Sequence, residues 1–109
     1  MEISKSDWTL YRKKIAGWQE GCMEKLCTEY AALLSDSNTK ASERFWALER
    51  RIKEDKRLAG VQVETRKSNM LYDIARLVAE EAISFEDLSE FSSDIQDAVK
   101  LLLRMSCDD

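Results

Sequence analysis

The sequence predicts an all-α fold: a bundle of about four helices in one domain spanning residues 1–109, the last helix split near Ser92 and Ser93. Three observations predict it. The 109 residues contain no Pro and only three Gly, so the punctuation that a many-stranded sandwich or barrel needs is missing. Hydrophobic residues make up 44% of the chain beside 35% charged ones, enough for one core without a metal or disulfides. Apolar side chains recur every three or four positions, the period of a helix with one buried stripe.

The first helix runs from about residue 6 to 34. Trp8, Tyr11, Ile15, Trp18, Cys22, Leu26, Tyr30 and Leu33 form its stripe, Ser4 or Ser6 caps its start, and the SDSN stretch from Ser35 to Asn38 supplies the turn. The stripe drifts from alternating three-four steps to repeated fours after Trp18, which fits a globular bundle better than a strict-heptad coiled coil. A second helix, near 40–59, is expected to bury Ala41, Phe45, Leu48, Ile52 and Ala59 against the first, with Gly60 as a left-handed C-terminal residue. Lys56 and Arg57 suit its dipole. Glu49 with Lys53, Arg50 with Glu54 and Arg51 with Asp55 read as i,i+4 pairs on a solvated outer face.

A third helix follows, with Met70, Ile74, Leu77 and Val78 as core positions and a start between Val61 and Ser68. In ISFEDL, Ser84 caps a new segment with Asp87 in a capping-box position, and Ile83 and Leu88 occupy the staple positions. Leu88, Phe91, Ile95, Ala98, Val99 and Leu102 carry the final stripe, and Ser92 and Ser93 offer a second start signal within it.

The net charge of −4 conceals a strong polarity. Residues 1–39 carry five basic and six acidic side chains, residues 40–67 nine and five, and residues 68–109 three and ten. Chain-wide attraction to nucleic acid is not expected from this balance. The three Cys (Cys22, Cys27, Cys107) make neither a disulfide framework nor a zinc set. Cys22 and Cys27 read as small packing residues in a reducing compartment, and the protein as cytoplasmic. MEISKSDW has no apolar signal core, and no stretch approaches the roughly 18 apolar residues of a membrane span.

FWALERRIKEDK, GVQVETRKSNM and ISFEDLSEFS resemble segments of short all-helical bacterial proteins. That resemblance implies a helical fold over most of the chain and transfers no activity and no site.

No histidine occurs in the chain, which removes the commonest general base and metal ligand and every Ser-His or Cys-His pairing. Gly17, Gly21 and Gly60 fit no phosphate-loop pattern. The acidic run from Glu80 to Asp97 lacks EF-hand spacing and reads as solvated surface. No catalytic residue, metal or cofactor is expected, and the chain reads as a non-enzyme.

On a helical wheel Trp46 falls roughly 100° from Phe45, beside Arg50, Lys53 and Arg57. Trp46 reads either as the anchor of a contact patch with these three cations or as a side chain packed on a neighbouring helix beneath their stems. Glu86, Glu90, Asp94 and Asp97 form a second candidate surface, docking internally on the basic helix or facing a basic partner. Gly17 and Gly21, one turn apart, imply close packing within the monomer or a homodimer seam. The leading expectation is a helical protein–protein interaction or regulatory module. A second is an acidic phage or mobile-element inhibitor of a nucleic-acid-handling protein, of the anti-CRISPR type. A third is weak nucleic-acid binding through the basic face of the second helix, which Glu49, Glu54 and Asp55 interrupt.

Overall fold

A computed structural model describes residues 2–107, the side chains of 106 and 107 excepted. Four helices follow in order: α1 (Lys5–Leu34), α2 (Ala41–Asp55), α3 (Met70–Ala79) and α4 (Ser93–Cys107). Single 3-10 turns precede α3 at Lys67–Asn69 and α4 at Phe85–Leu88. There are no strands among the described residues, and the all-α bundle read from composition and periodicity is the observed fold.

α1 is the spine. Thirty residues at about 1.5 Å each give roughly 45 Å, close to the 52 Å long dimension of the molecule. Its two halves have different neighbours. Ile3, Tyr11 and Ile15 join Met70, Ile74 and Leu77 of α3, Leu88 and Phe91 of the connection, and Ile95 and Val99 of α4 in one apolar core. Trp8, Tyr11, Trp18 and Phe91 extend it as a chain of rings with centroids 5.9, 6.4 and 6.1 Å apart. Beyond Cys22 this core ends: no residue from 23 to 58 is buried. The second half of α1 pairs with α2 as a helical hairpin, an arm standing off the core.

The N-terminus of α1 is tied to the start of α4 by one carboxylate. Asp7, only 5% exposed, accepts from the Ser92 amide (3.0 Å), the Ser92 hydroxyl (2.6 Å) and the Ser4 hydroxyl (2.9 Å). Burial alone would raise the Asp7 pKa. The bonds from Ser92 and Ser4 outweigh it, and the carboxyl titrates below its ordinary value. The Ser92 hydroxyl in turn accepts from the Ile95 amide at 3.4 Å, so this serine opens α4 as the sequence predicts. Ser84 and Asp87 form the predicted capping box, and Ile83 and Leu88 beside it are both buried.

Several expectations are corrected. α2 ends at Asp55 and not near residue 59, and residues 61–66 are irregular. Gly60 does not have a positive φ. It is required by space, because a Cβ there would lie 2.4 Å from the Cys22 sulfur and 3.2 Å from the Ala82 Cβ. This turn is locked from both sides: Gln19 donates to the Ala59 carbonyl (3.0 Å), and the Ala59 and Gly60 amides donate to the Glu80 carboxylate (3.1 and 3.3 Å). The left-handed residue is instead Glu81, with φ 63°. Gly17 and Gly21 have nothing within 4 Å of a built Cβ, so close packing within the monomer does not explain them. Cys22 is buried, as a packing residue should be, whereas Cys27 is exposed. The Cys107 side chain lies outside the described residues.

Candidate functional site

The arm reverses the burial expected of its sequence. The face of α2 that meets α1 comprises Arg44, Ala47, Leu48, Arg51 and Asp55, all half-buried at helical spacing. Arg51 bonds the Glu29 carboxylate of α1 at 2.9 Å, lies 3.5 Å from Asp55 and rests over the Tyr30 ring at 5.4 Å. The Tyr30 hydroxyl donates to Asp55. Burial, then the Asp55 carboxylate, pushes the Tyr30 pKa up to about 12, so the hydroxyl keeps its proton at neutral pH. Arg44 closes the far end by donating to the Leu34 carbonyl (2.6 Å) and the Thr39 carbonyl (3.1 Å), orphan acceptors at the end of α1 and in its turn.

The consequence is that Phe45 and Ile52, expected in the core, are 62% and 40% exposed, and Ala41 is exposed too. Leu48 is only half-buried. The most apolar stripe of α2 is therefore centred roughly 75° from the face it presents to α1, with Leu48 shared by both. Phe45, Leu48 and Ile52 line a shallow groove of about 470 Å³ with Glu49, Lys53 and Lys56. Trp46, 57% exposed, borders it and meets Phe45 edge to face with centroids 5.0 Å apart. Cation–ring contacts occur at Trp8, Tyr30 and Phe85. Trp46 packs on its aromatic neighbour instead, and its ring remains open to solvent.

Trp46, Arg50 and Lys53 share one exposed side of α2, as their spacing predicts. Arg57 falls in the turn after the helix, where its carbonyl accepts from Arg76 at 2.6 Å, so it is separated from the patch by the helix end. The expected pairs of Glu49 with Lys53 and Arg50 with Glu54 do not form. Arg51 with Asp55 does form, but on the inner face.

The acidic candidates do not act as a unit. Glu90 is turned back on α1, pairing with Lys14 at 2.8 Å. Glu86 is exposed on the 3-10 turn, and Asp94 and Asp97 are exposed on α4. No ion pair among the described residues joins this stretch to α2, so it is not docked internally on the basic helix by charge. Among the described residues no cluster of three or more His, Cys, Asp or Glu is placed to hold a metal ion, and no helix is long and apolar enough to cross a membrane.

A second apolar surface, absent from the sequence reading, lies between α3 and α4. Tyr72, Ala75, Ala79, Leu102, Leu103 and Met105 line a groove of about 370 Å³, bordered by Arg76. Tyr72, Leu101 and Met105 are 69%, 57% and 63% exposed. Large apolar residues off the main stripe of α3 and α4 were its only signal. No protein-family model, curated protein or solved structure matches this chain.

Proposed function

We propose that this protein is a non-enzymatic protein–protein interaction module whose working surface is the outer face of the α1–α2 arm. One observation carries the reading: α2 spends charged residues on its contact with its own fold and leaves Phe45, Trp46 and Ile52 in water. A monomer gains nothing from that arrangement, since the apolar stripe turned inward would bury three large side chains. Contiguous exposed apolar surface rimmed by polar groups marks a site of contact. Trp and Arg are enriched among the residues that dominate binding energy at such sites, and Phe is enriched in their composition.

The charges beside the patch define the partner. Arg50, Lys53 and Lys56 outnumber Glu49, so a fitting surface is apolar with carboxylates at its edge. Direct binding of nucleic acid through the same cations is disfavoured by the net charge of −4, which opposes approach to phosphate.

Phe45→Ala and Trp46→Ala test the reading. Each should leave unfolding free energy within about 1 kcal/mol of the parent. Each should weaken capture of a partner that the parent chain retains by tenfold or more, on the order of 1.4 kcal/mol or above. Undiminished capture by both variants, or collapse of the fold on loss of either ring, would overturn it.

A further inference from the structure

We infer that the partner of the arm is a second copy of this chain, whose α4 outer face and adjoining α3–α4 groove receive α2. The inference rests on the reading of the arm as a docking surface and gives that surface an occupant.

The argument begins with chemistry. The arm requires an apolar surface edged by carboxylates, and α4 presents one. On its helical wheel Asp94, Asp97, Ala98, Leu101 and Met105 fall within an arc of about 100°, away from the Ile95 and Val99 core stripe. The carboxylates lie toward the start of this strip, and the exposed Leu101 and Met105 lie toward its end. Arg76, which borders the groove, is occupied within its own chain by the Arg57 carbonyl and lies within 4 Å of Asp73 and Glu80. Exposed Arg104, in the last turn of α4, flanks the apolar end of the strip, so the carboxylates edge its first turns and meet Lys53 and Lys56 there. The polarity of the sequence is the same on a coarser scale: nine basic against five acidic residues in 40–67, and three against ten in 68–109.

Like charge argues against the simpler pairing of arm with arm, which would set Arg50, Lys53 and Lys56 against their own copies. Pairing arm with α4 opposes unlike charges instead. Because every copy carries both surfaces, a two-fold arrangement uses each of them twice and closes. An elongated molecule of 52 × 32 × 22 Å suits this geometry. Two such molecules side by side in opposite directions bring each arm to the other's core end.

Area supports the same conclusion. Phe45, Trp46, Ile52, Tyr72, Leu101 and Met105 are 40–69% exposed. At roughly 100 Å² of accessible surface each, twelve such side chains in a reciprocal pair cover on the order of 1,200 Å², the lower bound of a specific interface. An interface of this size sits at the weak, transient end of the specific range, so association is expected toward the upper part of the micromolar range.

Sedimentation equilibrium of the whole chain, from about 1 µM to about 500 µM, tests the inference with charge-swapped variants. The parent should dimerise. Lys53→Glu with Lys56→Glu should weaken association tenfold or more, as should Asp94→Lys with Asp97→Lys, and the two variants mixed should restore a heterodimer. Asp94 lies in the first turn of α4, where a lysine opposes the helix dipole. Asp97→Lys alone is therefore the acidic-side variant if the double substitution fails to fold.

A monomer at every concentration overturns the inference, and the capture experiment then decides the arm reading by itself. A dimer broken by Trp46→Ala but indifferent to Asp97→Lys also overturns it, while leaving the arm as a docking surface. A dimer indifferent to Trp46→Ala and Phe45→Ala overturns the inference as well, and the capture experiment again decides the arm reading by itself.

Discussion

The two halves of α1 run through two kinds of structure. Its first half is held by apolar packing: Tyr11, Ile74, Leu77, Leu88, Ile95 and Val99 are fully buried around it. Its second half is held by Arg44, Arg51, Asp55, Glu29 and Tyr30, with no buried residue on either helix of the arm beyond Cys22. Apolar burial scales with area and is not subject to electrostatic screening, whereas exposed ion pairs contribute about 1 kcal/mol or less each and are screened. Stability therefore resides at the core end, and the arm is free to spend its apolar residues on contact. The comparison separates two tasks that a sequence pattern treats alike.

The largest effect that tests this division is the contrast between one side chain from each end. Leu88 is fully buried in the core, and Leu88→Ala should cost about 3–4 kcal/mol through lost transfer energy and the cavity left behind. Phe45→Ala removes more atoms from the arm and should cost less than about 1 kcal/mol. Urea denaturation of both variants measures it. A loss at Phe45 comparable to that at Leu88 would show that the arm belongs to the same packing unit as the core.

A smaller effect concerns the carboxylate that ties α1 to α4. Removing Asp7 leaves the Ser92 amide and hydroxyl without their acceptor, and Asp7→Ala should cost about 2 kcal/mol at neutral pH. The Asp7 pKa is lowered in the folded state from an ordinary value of 3.8. Its contribution is thus present above that value and is lost as pH falls through the folded pKa. The stability difference between parent and Asp7→Ala should shrink toward acid, and parallel denaturation curves at neutral and strongly acidic pH would reveal it. A difference independent of pH would mean that the bonds to Ser92 do not depend on the charge of Asp7.

Much of the core end was legible in the sequence because its signals are local and periodic. The stripe of Tyr11, Ile15 and Cys22, the Ser84–Asp87 box and the start at Ser92 each declare themselves within a few residues. Asp7 did not, since its partner lies 85 positions away and a carboxylate near a helix start normally stays in water. Nor did the orientation of α2. A wheel places the most apolar stripe toward the core, and that rule fails when the inner face is zipped by Glu29 to Arg51 and Tyr30 to Asp55, partners more than twenty positions apart. The wheel puts Trp46 off the buried stripe, and it is exposed; the same wheel puts Phe45 in the core, and Phe45 is exposed as well. Gly60 showed its need for a glycine without showing the reason, because the Cys22 sulfur that crowds it comes from α1.

The smallest effect sharpens the same division at the end of α3. The Ala82 amide donates to the Leu77 carbonyl (2.9 Å) and the Glu81 amide to the Val78 carbonyl (3.0 Å), the two bonds of a Schellman ending. That motif places Glu81 in the left-handed region, at φ 63°, where a side chain with a Cβ is disfavoured and glycine is not. Relief of roughly 1 kcal/mol of backbone strain is offset in part by the greater unfolded-state freedom of glycine, about 0.4–1 kcal/mol. Glu81→Gly should therefore raise stability by a few tenths of a kcal/mol, whereas the β-branched Glu81→Val should lower it by about 1 kcal/mol or more. Glu81 directs Ala82 and Ile83 onto the core, so both changes should appear in the global unfolding midpoint and in amide exchange of the core helices, and leave amide exchange rates in α2 unaltered. Equal stability of the glycine and valine variants would show that the left-handed turn carries no strain. Parallel changes of exchange in α2 and in the core would show that the core end and the arm are not the separate units their packing describes.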